Sequence, residues 1–159
     1  MQGKRHMRAA AHGGGQRRVA LAALLTVALI AAAWAAAAQP PGFRVITNPS
    51  NAALSVERAF LADAFLKKTT RWPDDEPIYP VDQGPDSGVR QRFSEQVLRR
   101  SVFAVRSYWQ QRIFAGRGLP PPELESDDAV LRYVRSRPGA VGYVSDRAEL
   151  GGVKVLSVR

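Results

Sequence analysis

The chain has 159 residues, with 23 Lys or Arg against 14 Asp or Glu, two histidines and no cysteine. Five of the cations and both histidines (His6, His12) lie in residues 1–38, which hold no acid, so residues 39–159 carry 18 cations, 14 anions, no His and no Cys. A surplus of four, in runs no longer than two, is no nucleic-acid footprint, and Ser-His or Cys-His nucleophile pairs, thiolate sites, His-ligated zinc and disulfides are all excluded from that part.

Lys4, Arg5, Arg8, Arg17 and Arg18 precede an uncharged stretch from Val19 to Ala38, in which eleven of twenty residues are Ala. Basic, then apolar, then small residues is the order of an export leader, and Ala36-Ala37-Ala38 before Gln39 fits its cleavage site. Residues 1–38 are therefore expected to be a signal peptide, with Arg17-Arg18 a weak twin-arginine feature. The alternative is an uncleaved membrane anchor, since about 20 apolar residues can span a bilayer. Either way the remainder is expected outside the cytoplasm, periplasmic or secreted, and meets a membrane only through an uncleaved leader.

Residues 39–42 form a Pro-Gly spacer, and 43–159 the domain, long enough for one core without disulfides. Phe43–Thr47 reads as a strand stopped by Asn48-Pro49. Ser55 is expected to cap a helix over Val56–Leu66. Trp72-Pro73-Asp74-Asp75 reads as a turn, and Ile78–Val81 as a short strand that Pro80 places at an edge. After a loop over Asp82–Asp86, Phe93, Val97, Val102, Val105, Trp109 and Ile113 mark one buried stripe of a helical region from Ser87 to Phe114. Ser101 is positioned to recap that region after Arg99-Arg100. A proline-ended loop, a helix capped by Asp127 or Asp128, and strands Ala140–Val144 and Val153–Val158 complete the chain. Alternating strands and helices imply an α/β fold, a small and mostly parallel sheet flanked by helices.

Asp82-Gln83-Gly84-Pro85-Asp86-Ser87-Gly88-Val89-Arg90 leads from a strand end into a helix start. Free backbone amides and the positive end of the helix dipole suit an oxyanion there. The Ser87 hydroxyl adds a donor, Gly88 allows close approach, and Arg90 adds charge. The plainer reading is that Ser87 is an ordinary N-cap. Asn48 and Ser50 form a second polar loop after a strand; in a parallel sheet that loop would share an edge with Ser87, unless it is simply an Asx turn. Asp74-Asp75-Glu76 reads as a solvated turn rather than a metal or acid–base site, and Trp109 as core.

The phrases Ala64-Phe65-Leu66-Lys67-Lys68-Thr69-Thr70-Arg71-Trp72-Pro73-Asp74, Ile78 to Asp82, Asp86-Ser87-Gly88 and Pro138-Gly139-Ala140-Val141-Gly142-Tyr143-Val144 stand in an order and spacing that resembles the phosphate-binding, PstS-like group of periplasmic solute-binding proteins of ABC transporters. The resemblance covers nearly all of 43–159. It implies one lobe of a periplasmic-binding-protein fold, binding rather than catalysis, no cofactor, and phosphate or a similar oxyanion as ligand. By that analogy Ser87 and Gly88 contact the ligand, with Gln83, Arg90, Asn48 and Ser50 as further candidates. An ABC permease, a sensor or a protein supplying a second lobe is the implied partner. The alternative is a periplasmic protein-interaction module without a small ligand. Two departures stand out: Asp82 and Gln83 occupy the place where such proteins carry an Arg, and 121 residues make one lobe where a complete receptor has two.

Overall fold

The computed structural model describes residues 42–159; the expected leader and most of the spacer lie outside the described residues. The strands are β1 (Phe43–Thr47), β2 (Ser55–Val56), β3 (Tyr79–Pro80), β4 (Asp82–Gln83), β5 (Glu123–Leu124), β6 (Ala140–Ser145) and β7 (Lys154–Val158). The helices are α1 (Arg58–Phe65), α2 (Gly88–Phe93), α3 (Val102–Phe114) and α4 (Asp127–Ser136), and a π-helical turn, Ser94–Leu98, continues α2. Five strands form one sheet in the order β2-β7-β1-β6-β3, and β4 pairs with β5 separately.

This is the expected α/β arrangement, a small sheet with helices on it. The three pairings β2–β7, β3–β6 and β4–β5 are parallel. The two long central ladders are not: β1 runs antiparallel to both β6 and β7. The expected parallel direction thus holds at the margins and fails in the middle. Strand sequence pattern does not encode pairing direction, which the intervening connections decide.

Period-two alternation along the central strands feeds two cores. Val45, Val141 and Tyr143 join a cluster with Phe65, Phe93, Val105 and Trp109. Ile46, Ala140 and Val144 join Val81, Val130, Leu131 and Val134 on the other side. Of the long stripe read from the sequence, Phe93, Val97, Val105 and Trp109 pack as expected, whereas Val102 is only half-buried and outside both clusters and Ile113 is 45% exposed. Gly142 lets α4 lie close on the sheet, because a Cβ there would stand 2.7 Å from Val81 Cγ1 and 2.9 Å from Val130 Cγ1.

Several element ends differ from the sequence reading. Ser55 and Val56 are not a helix start but β2, drawn into the sheet by β7; α1 begins later, after Glu57, without a side-chain cap. The cap of α4 is Ser126, whose hydroxyl accepts from the Ala129 amide, with Asp127 and Asp128 in the first turn. Arg99 adopts a left-handed conformation (φ 55°) after the π turn, and Ser101 caps α3 by accepting from the Ala104 amide, so the break falls where it was expected. Pro80 lies on the edge strand. No helix among the described residues is long and apolar enough to cross a membrane.

Candidate functional site

The Gln83–Arg90 segment leaves the end of the β3–β4 stretch and enters α2. Its path is held by backbone bonds: Val81 N donates to Val141 O at 2.9 Å, Asp82 N to Pro122 O at 2.9 Å and Gly84 N to Leu124 O at 3.0 Å. Beneath it lies a buried polar network. The Arg90 side chain is 2% exposed; its guanidinium stands 3.2 Å from Asp82 and 2.7 Å from Glu123, and donates to Gln83 O at 2.6 Å. The Tyr143 hydroxyl donates to Asp82 Oδ1. Gln83 Nε2 donates to Asp127 Oδ1 at 2.8 Å and to Tyr143 O at 3.1 Å, while its Oε1 accepts from the Ser87 hydroxyl at 2.6 Å. Asp127 Oδ1 also accepts from the Ser145 amide at 3.1 Å.

Each charge in this network has a reason to be there. Burial of the Asp82 carboxyl pushes its pKa above the ordinary carboxylate range, against the opposing pull of the Arg90 guanidinium and the Tyr143 and Gln83 hydrogen bonds. The Tyr143 hydroxyl is pushed up as well, by its own burial and by the carboxylate beside it. A buried Arg is tolerable only when paired and hydrogen-bonded, and Asp82, Glu123 and Gln83 O together meet that condition.

The sequence-predicted residues divide accordingly. Gln83, Ser87 and Gly88 are brought together at the start of α2. Ser87 is the helix cap, its Oγ accepting from the Arg90 amide at 3.3 Å while donating to Gln83. The amides of Gly88 and Val89 belong to the first turn, where a helix offers no internal acceptor. Arg90 is placed behind this loop, inside the protein, where it braces Gln83 and Asp82 instead of presenting charge to solvent.

Asn48 and Ser50 are not brought to the same edge, a correction to the sequence reading. Asn48 Nδ2 donates to Val134 O at 2.8 Å and Arg135 O at 3.0 Å, at the carboxyl end of α4. Gln83 reaches Asp127, at the amino end of that helix, about 12 Å away along its axis. The physical reason is the antiparallel β1–β6 pairing: β1 ends with Thr47 opposite Val141, near the start of β6, whereas the β3–β4 stretch runs on parallel to β6 and carries Gln83 to Tyr143, toward its far end. Asn48 Oδ1 accepts from both the amide and the hydroxyl of Ser50, at 3.0 and 2.8 Å, so this loop is an Asx turn.

The sequence reading did not assign Tyr143, Glu123 or Asp127 to the network. One signal was available: a tyrosine in an otherwise apolar buried strand requires a partner for its hydroxyl. The partner itself, Asp82, lies 61 residues away and is set only by the β3–β6 pairing. Beside Ser87 opens a groove of about 370 Å³ whose lining includes Asp86, Ser87, Gln91, Glu95, Ser101 and Phe103. Its charged lining residues, Asp86 and Glu95, are both acidic.

No protein-family model matches the chain, and no curated protein matches it. Solved structures do. A Clostridium perfringens protein solved with bound phosphate superposes with a TM-score of 0.58 at 21% identity, over 74% of this chain and 45% of its own. An ABC-type phosphate transport receptor from Vibrio cholerae gives 0.58 at 20% identity, over 74% and 46%. The chain shares its fold with phosphate-receptor proteins. PstS from Borrelia burgdorferi agrees, with a TM-score of 0.57 at 14% identity over 75% of this chain and 47% of that one. The chain thus spans less than half the length of these receptors, in line with a single lobe of the fold.

Proposed function

We propose that the domain is an exported, non-catalytic binding lobe that holds phosphate or a related oxyanion weakly at the Gln83–Gly88 loop, in connection with ABC-type phosphate uptake or sensing. The observation that carries this reading is the match of about three-quarters of the chain to phosphate receptors, one of them solved with bound phosphate. The loop supports it chemically. Gly88 and Val89 amides sit at the positive end of a helix, next to a hydroxyl whose direction Gln83 sets. The backing network ties the loop down at Gln83, Gly84 and Ser87, which lowers the ordering entropy lost on binding. Arg90 acts from behind, by neutralising Asp82, and Asn48 and Ser50 take no part.

Titration of inorganic phosphate followed by amide NMR tests the reading: Gln83 to Val89 are expected to move first. Ser87→Ala is expected to weaken that response by about 1 kcal/mol or more, the worth of a hydrogen bond to a charged ligand. Shifts elsewhere, or a Ser87→Ala variant that loses stability alone, would leave Ser87 as a cap and nothing more.

One observation favours a second reading, a protein-interaction module without a small ligand. The groove beside Ser87 carries two carboxylates and no cation, which suits a cationic partner surface better than a free anion. The two readings part in the same titration, because a module without a ligand shows no saturable phosphate shifts at the loop.

A further inference from the structure

The excess charge of the domain is confined to one segment. Residues 96–122 hold five Arg (Arg99, Arg100, Arg106, Arg112, Arg117) and no acid, while the rest of 39–159 holds thirteen cations against fourteen acids. The same segment carries much of the exposed apolar bulk: Phe103 is 78% exposed, Phe114 89% and Leu119 66%. Phe103 and Phe114 are eleven residues apart on α3, three turns of helix, so they share a face about 16 Å long. Gln110 lies on that face between them, and Val105 and Trp109 bury the other side of the helix. Arg106 is exposed and flanks that face, whereas Arg100 and Arg112 stack on Tyr108, each 5.5 Å from its ring centroid, on the side turned away from it.

We propose that the outward face of α3, with the loop to Leu119, docks on an anionic lipid bilayer. Aromatic side chains this exposed stand proud of a convex helix. A protein partner would need a pocket for each, whereas the bilayer interface takes single apolar side chains anywhere along its surface. Arg106 beside them, with Arg99, Arg100 and Arg117 beyond the two ends of the face, meets headgroup phosphates, while Asp86 and Glu95, which line the groove next to Phe103, stay on its solvent side. This inference is independent of whether the Ser87 loop binds phosphate.

The chain has no cysteine, so one introduced thiol can be labelled uniquely. An environment-sensitive fluorophore is placed on Gln110→Cys and, as a control, on Asp74→Cys in the full chain. Each is mixed with phosphatidylcholine vesicles containing about one-third phosphatidylglycerol, or with phosphatidylcholine alone. Because the apolar stretch 19–38 favours both vesicle types, the label's local environment is the readout, and the bound fraction is not. A blue shift at Gln110→Cys with anionic vesicles only, absent at Asp74→Cys, is expected. Adding Phe103→Ser and Phe114→Ser is expected to abolish it at unchanged melting temperature, since both rings are exposed. Equal shifts at both positions, equal shifts with both vesicle types, or none at Gln110→Cys overturn the proposal. So does a shift that needs no vesicles and grows with protein concentration, which would make the face a self-association surface.

Discussion

Arg90 is read from the sequence as a ligand-facing cation and is found as the brace of a buried network. The difference has thermodynamic consequences. Removing one partner of a buried ion pair leaves the other charge uncompensated, so Arg90→Met is expected to cost about 3–5 kcal/mol near neutral pH. The pH dependence follows from Asp82. Its folded-state pKa lies above its unfolded value, so the folded chain takes up its proton first. Stability from this group is therefore greater at low pH and falls as pH rises through the folded pKa. Without Arg90 that fall is steeper, since nothing offsets the burial of the carboxylate. Urea denaturation is expected to show the gap between Arg90→Met and the parent narrowing as the pH is lowered from neutral; a gap that stays constant would mean that Asp82 is not the charge being compensated. The identities of Ser87 and Gly88 as a helix start were legible in the sequence, because capping is local chemistry. The fate of Arg90 was not, because its partners Asp82 and Glu123 lie 8 and 33 residues away and on a separate pair of strands.

At the scale of elements, the Pro138-Gly139 turn shows how much a local signal can carry. Gly139 has φ +70°, and a Cβ there would lie 2.1 Å from Pro77 O. Its carbonyl accepts from Trp72 Nε1 at 3.0 Å and from Tyr79 N at 3.2 Å, joining the turn to the Trp72 loop and to the edge strand. Gly139→Ala therefore combines backbone strain with a clash against backbone, and a loss of at least about 2 kcal/mol is expected in chemical denaturation, with a displaced Trp72 indole N–H signal. Ser101→Ala is a milder case. It removes the cap of α3 and is expected to cost about 1 kcal/mol, measured in the same way. The strands β1, β6 and β7, the break at Arg99 and the buried faces of the helices were all visible as periodicity and capping. The Ser55–Val56 segment was misread because its β-branched valine and capping serine suit either a helix start or an edge strand, and β7 is what decides.

For the whole molecule, tight capture of an anion requires that it be removed from water on most sides. This chain spans less than half the length of the phosphate receptors whose fold it shares, and the charge beside its candidate loop is acidic. Phosphate affinity of the monomer is accordingly expected no tighter than the high-micromolar to millimolar range, roughly 4–6 kcal/mol. Calorimetry at moderate salt checks this, and a sub-micromolar constant with one site per chain would show that a single lobe suffices. The sequence by itself determined the α/β class, the domain-sized core, the absence of His and Cys chemistry from residues 39–159, and the Ser87 helix start, since each depends on composition or on neighbours within a few turns. Only the tertiary structure decided that β1 runs against β6, which separates Asn48 from Ser87 by the length of α4. It also decided that Arg90 turns inward and that the Phe103 and Phe114 face of α3 is left uncovered. Strand direction, ion pairing and exposure depend on contacts between residues far apart in the chain, and no local pattern records which of those contacts will form.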